Sequence, residues 1–178
     1  MTRTRSNIIL IGMPGAGKST IGVLLAKALG RYFLDTDVVI QASLQKSLHE
    51  LIDEYSLEGF CHIEQDYIQG LDLQQSVIAT GGSAVYYRQA MEKLKEEGIV
   101  IYLQLPLEIL KERVSDIKGR GVVIEPGQTL ESLFETRGPL YRRYADLTAD
   151  LAGLSHEQAV EKILSILPAE FNLSPYNQ

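Results

Sequence analysis

A single cysteine, Cys61, stands in a chain of 178 residues, and tryptophan is absent altogether. One thiol cannot close an internal disulfide, so a cross-linked secreted scaffold is excluded and a reducing, cytoplasmic setting is expected. No run reaches the roughly 18 apolar residues that a membrane helix needs, and no export leader is recognisable, so no membrane partner is expected. Positive charge is scarce: 17 Lys and Arg face 23 Asp and Glu, a net charge of −6 with a pI near 5.1. Bulk attraction to a polyanion is thereby excluded, and nucleic acid is not an expected partner. His49, His62 and His156 show no metal-ligand spacing with one another or with Cys61, which argues against zinc and for surface positions. There are no repeats, low-complexity tracts or linker-like stretches, and 45% hydrophobic with 22% charged residues is ordinary globular composition. One domain spanning 1–178, acting as a monomer, is expected.

What is present alternates. Asn7 to Gly12 is an apolar, Ile-rich run that stops at a glycine-rich turn, and Lys18 to Leu29 continues with helical spacing. Similar runs at Ser76 to Ala79 and Ile99 to Leu105 precede helical segments at Tyr86 to Glu97 and Leu107 to Val114. Strands alternating with helices predict an α/β fold with a parallel sheet between helical layers, whose ligands settle at the carboxyl ends of the strands. Ser155 predicts the cap of a last helix reaching about Leu167, with Glu157 and Gln158 in its first turn, and Phe171 to Gln178 reads as a frayed tail. Residues 115–127 interrupt the pattern with Gly119, Gly121, Pro126 and Gly127. A loop of this length is read as a mobile lid, with a plain surface connection as the alternative.

Gly12-Met13-Pro14-Gly15-Ala16-Gly17-Lys18-Ser19 fits the G-x-x-x-x-G-K-[ST] pattern behind a strand and ahead of a helix. Glycines let backbone N–H groups wrap a phosphate, Lys18 adds a point charge, and Ser19 offers a hydroxyl to Mg²⁺, with Thr20 in the same helical turn. ATP and Mg²⁺ are the expected cofactors. Asn-Lys-x-Asp, which would read guanine, does not occur.

Asp35 and Asp37 close a second predicted strand two residues apart. One acid serves magnesium and the other accepts a proton from a substrate hydroxyl, although Asp37 alternatively reads as a helix cap. Gly81, Gly82 and Ser83 end a strand on the same sheet edge, as a binding loop or a tight turn. Arg137 lies in the most basic stretch, where a guanidinium would clamp a carboxylate, while Arg142 and Arg143 read as a solvated helix face.

In order along the chain, Gly12 to Thr20, Phe33-x-Asp35-x-Asp37, Phe60-x-x-x-Glu64, Thr80-Gly81-Gly82 and Arg137-x-Pro139-Leu140-Tyr141 resemble the motif series of the shikimate kinase family. That resemblance implies a three-layer P-loop kinase with a five-stranded parallel sheet and a lid over ATP. It implies Arg120 as the lid arginine, Arg113 beside adenine, Asp35 in the magnesium shell, Asp37 on the substrate hydroxyls and Arg137 on the substrate carboxylate. Three departures stand out. Cys61 occupies the place of a substrate-binding arginine, Ser83 that of a glycine, and Arg120-Gly121-Val122-Val123 that of arginine-proline-leucine-leucine.

The expected activity is transfer of the ATP γ-phosphoryl group to a hydroxyl of a small carboxylated metabolite, with Lys18, Asp37 and Arg120 catalytic. Shikimate is the first acceptor expected. Loss of one charge-assisted contact at Cys61 costs about 1.5–3 kcal/mol, which keeps another hydroxy acid such as homoserine as an alternative. A nucleotide-binding regulatory protein without transfer chemistry is the further alternative.

Overall fold

Asn-Ile-Ile-Leu-Ile is buried at every position as strand β1 (Asn7–Ile11), the centre of the sheet in the computed structural model. The structure describes residues 5–114 and 127–172. Five strands, all paired in parallel, lie in the order β2 (Tyr32–Asp35), β3 (Ser76–Ala79), β1, β4 (Gly98–Gln104), β5 (Leu147–Asp150). A central strand covered on both faces has no polar side to keep, which explains the unbroken branched run. Register is fixed on either side of it, with Ile9 opposite both Ile78 and Val100.

Seven α-helices are described: α1 (Lys18–Leu29), α2 (Thr36–Leu44), α3 (Leu48–Gly70), α4 (Arg88–Glu97), α5 (Leu107–Arg113), α6 (Leu130–Tyr144) and α7 (His156–Ile166). Helix α1 ends on Gly30 in left-handed conformation, and α3 starts with a Ser47–Glu50 capping box and kinks at Ser56 (φ 64°). Helix α7 starts at Ser155, whose hydroxyl accepts from Gln158 N–H while the Gln158 side chain accepts from Ser155 N–H. Replacing Ser155 with Ala removes that cap and is expected to cost about 1 kcal/mol, read as a lower denaturant midpoint with an unchanged slope.

Two apolar clusters form. The larger surrounds the sheet, and a smaller one of Ile40, Leu48, Leu51 and Phe60 joins α2 to α3. Helix α6 is held to β4 by Tyr141 stacked on Tyr102, ring centres 5.2 Å apart. One alternative reading and one expectation are corrected. The cap of α2 is Asp35, whose Oδ1 accepts from Asp37 N–H and Val38 N–H, whereas Asp37 lies in the first turn. Phe171 is not frayed: it is buried in a 3₁₀ turn (Ala169–Phe171), and its carbonyl accepts from Arg31 Nη2 at 2.8 Å.

Candidate active site

The carboxyl ends of β1, β2 and β3, adjacent in the sheet, each deliver one loop of the site. Threonines tie these loops together. Thr80 donates through both its N–H and its hydroxyl to the Leu10 carbonyl, and Gly81 N–H donates to Thr36 Oγ1 at 3.0 Å. Residues 12–17 cross from β1 to α1 with Gly12, Gly15 and Gly17 at positive φ. A Cβ on Gly15 would fall 2.3 Å from Val114 Cγ2 and 3.7 Å from Arg113 Cβ, so the loop lies directly against the end of α5. The first turn of α1 has neither an acidic residue nor a side-chain cap, which leaves its N–H groups and dipole to an anion. Lys18 Nζ donates to the Gly12 and Met13 carbonyls at 2.8 and 3.1 Å, and Ser19 and Thr20 are exposed beside it.

Facing this donor loop is a second set of polar groups. Arg137, 2% exposed, donates from Nε to the Tyr86 hydroxyl at 3.1 Å with its guanidinium over the Tyr86 ring. Tyr141, one turn on, donates to the Gly82 carbonyl at 2.8 Å. A Cβ on Gly82 would lie 3.0 Å from Arg137 Nη1 and 3.3 Å from Pro14 Cδ, so bare backbone separates the arginine from the phosphate loop. On α3, Cys61 is buried beside Tyr87. Glu64, on the same helix, is fully buried, and its Oε2 accepts from Ser83 Oγ at 2.6 Å. Its Oε1 has no hydrogen-bond partner among the described residues.

Electrostatics bind these groups into one site. Burial lowers Lys18 to about 8, opposed by Asp37 and then Asp35. Burial and then Asp35 push Asp37 up to about 6, with Lys18 opposing. Burial and then Asp37 push Glu64 from 4.5 up to about 7. Because the folded value of Glu64 exceeds the unfolded one, the folded state binds more protons between the two values, and stability falls as pH rises from 4.5 to 7. Glu64→Gln is therefore expected to melt above wild type at pH 8, with the gap closing towards pH 5. A melting curve at each pH checks it, and a lower midpoint at pH 8 would contradict the penalty.

Lys18, Asp35, Asp37, Gly81, Gly82, Ser83 and Arg137 are thus brought around one space, Cys61 is buried on α3 one turn before Glu64, and Arg113 flanks the phosphate loop. Arg120 and the expected lid, except Gly127, lie outside the described residues. Arg142 and Arg143 are exposed, as are all three histidines. Ser83 turns its hydroxyl to Glu64 rather than leaving it free to narrow the pocket. Glu64, Tyr86 and Tyr141 were not singled out as functional by sequence reasoning, although the spacing Phe60-x-x-x-Glu64 marked the first. A Glu three residues after Cys61 was the available signal.

A phosphate loop at the centre of a parallel sheet, opposed by carboxylates and a buried arginine, defines an ATP-dependent small-molecule kinase that transfers to an alcohol. The shikimate kinase family model matches residues 14–168. A shikimate kinase of Nostoc sp. is 39% identical, covering 92% of this chain and 91% of that protein. One from Synechococcus sp. is 40% identical, covering 92% and 85%. Among solved structures, shikimate kinase from Acinetobacter baumannii in complex with shikimate is similar at a TM-score of 0.85, with 34% identity and 92% and 93% coverage. That from Aquifex aeolicus gives 0.77, with 29% identity and 89% and 94% coverage. The chain belongs to the shikimate kinase family.

Proposed function

We propose that this chain, as one domain, phosphorylates a hydroxyl of shikimate from Mg-ATP. The observation that carries the reading is Arg137: a buried guanidinium beside Gly82, across bare backbone from the phosphate loop. Such a group suits the carboxylate of an acceptor whose hydroxyl reaches Asp37. The likeness to the Acinetobacter baumannii enzyme, solved with shikimate, supports the same acceptor.

The backbone of residues 12–17 and Lys18 bind the transferred phosphoryl group, Arg113 flanks the nucleotide, and Arg120 of the lid adds a second cation. Asp37 orients the acceptor hydroxyl and takes its proton as the new O–P bond forms and the bond to the leaving ADP breaks. Ser19 and Asp35 fit a magnesium ion that takes few protein oxygens and completes its shell with water and phosphate. No cluster of three or more His, Cys, Asp or Glu among the described residues offers a rival protein cage. When bound, the ion neutralises phosphate charge.

Cys61 favours a second reading. It is buried, short and uncharged on the acceptor side, which suits homoserine, a carboxylate that also carries an ammonium. Incubation with Mg-ATP and shikimate, homoserine or gluconate, followed by ADP release, tests both. Acceleration by shikimate is expected, acceleration by homoserine alone supports the second reading, and acceleration by none overturns both. Cys61→Arg gives the sharper result. A guanidinium there finds the unpartnered Glu64 Oε1 nearby, and the KM for shikimate is expected to fall roughly tenfold or more. An unchanged KM would mean that the acceptor carboxylate lies elsewhere.

A further inference from the structure

Arg137 is a buried cation walled by an exposed ring. The arginine is 2% exposed, whereas Tyr86, which lies against it, is 43% exposed. Tyr86 meets it twice. The guanidinium carbon stands 5.2 Å from the centre of its ring, and its hydroxyl accepts from Arg137 Nε at 3.1 Å. The Thr136 hydroxyl, 3.5 Å from that of Tyr86, already donates to the Ser132 carbonyl at 2.9 Å, so Tyr86 is the donor in that contact and keeps a lone pair for Arg137. The ring is carried on the 3₁₀ turn Ala84–Tyr86, where Tyr86 N–H donates to the Ser83 carbonyl at 2.9 Å. Gly82, four residues earlier, borders Nη1, which a Cβ built there would approach to 3.0 Å. One short segment therefore brackets the guanidinium, with Tyr86 at Nε and Gly82 at Nη1.

A guanidinium can grip a carboxylate through Nε and one Nη, or through both Nη atoms. We propose that Tyr86 is a positioning residue of the acceptor site: by occupying Nε and limiting the tilt of the guanidinium plane, it turns the Nη edge of Arg137 to the acceptor carboxylate. This rests on the acceptor reading of the site. An arginine held in advance spends none of the binding energy on ordering its long side chain, so the site prefers a carboxylate over a neutral group of the same shape more strongly than an untethered arginine would. A merely structural Tyr86, screening a buried charge from water, would stabilise the fold and leave that preference unaltered.

Steady-state kinetics of the full chain with Mg-ATP, comparing shikimate with its carboxamide, separates the two roles. In Tyr86→Phe, which keeps the ring and removes the hydroxyl, kcat/KM for shikimate is expected to fall roughly threefold to tenfold. The loss lies in KM, while kcat/KM for the carboxamide and the KM for ATP hold. Arg137→Met is expected to abolish the preference for the carboxylate, and adding Tyr86→Phe to it changes the preference no further, because the hydroxyl acts through Nε. An undiminished preference in folded Tyr86→Phe overturns the inference, whatever happens to the melting temperature. An equal fall for both compounds overturns it too. Should Tyr86→Phe not fold, Thr136→Val perturbs the same hydroxyl from its other side: a lowered preference supports the inference, and an unchanged one overturns it. Those failures sink this inference alone, whereas a wild type that turns over neither compound sinks the acceptor reading with it.

Discussion

Lys18→Ala is expected to lower kcat by about a hundredfold to a thousandfold, the range seen when one preorganised electrostatic contact to a transition state is removed. Lys18 sits where three loops meet, donating to the Gly12 and Met13 carbonyls, and its charge is shared with Asp37 and Asp35. Burial lowers it only to about 8, so at pH 7 it remains largely protonated and able to meet phosphoryl charge. Its removal also leaves Asp37 without the cation that opposes its upward shift. Steady-state kinetics with Mg-ATP, beside a circular dichroism spectrum matching wild type, checks the result. Near-normal turnover in a folded variant would take the phosphate role away from this residue.

Asp37→Asn is expected to cost a similar or larger factor, about a hundredfold to ten-thousandfold for loss of a general base, with the KM for ATP little changed. The exchange keeps shape and removes only the carboxylate. Folding should survive because the cap of α2 belongs to Asp35, and because Gln41 Nε2 donates to the backbone carbonyl of Asp37, which Asn retains. The melting temperature should not fall, since a buried carboxylate held above its ordinary range is being neutralised. Unaltered kcat would show that the acceptor hydroxyl is activated elsewhere, and an unfolded product would show that the side chain is structural.

The donor half was legible because its signals are local. Strand, glycines, Lys18 and helix occupy one unbroken stretch, and α1 begins and ends where spacing predicts. Ser155 was equally readable, since a capping box is written within four residues. Asp35 and Asp37 were harder: both are good caps, and only the backbone turn decides which one points back to the helix. Glu64 was marked only by its spacing from Phe60, and its surroundings were hidden for a different reason. Its partner Ser83 lies 19 residues away on another element, and its burial depends on α3 packing over the β3 loop. Phe171 was misread as tail because its anchor, Arg31, is 140 residues distant in sequence.

Thr36, Thr80 and Tyr141 each spend a hydroxyl on backbone around the short loop that faces the acceptor. A strand end tied at both flanks cannot reshape itself for each visitor, so discrimination falls to the side chains around it. Cys61 and Ser83 lie outside the phosphate loop, and exchanging them leaves Gly12 to Thr20 untouched. On the proposed acceptor reading, choice of metabolite can therefore drift by single substitutions while the ATP machinery stays intact, an inherited engine with an interchangeable keyhole.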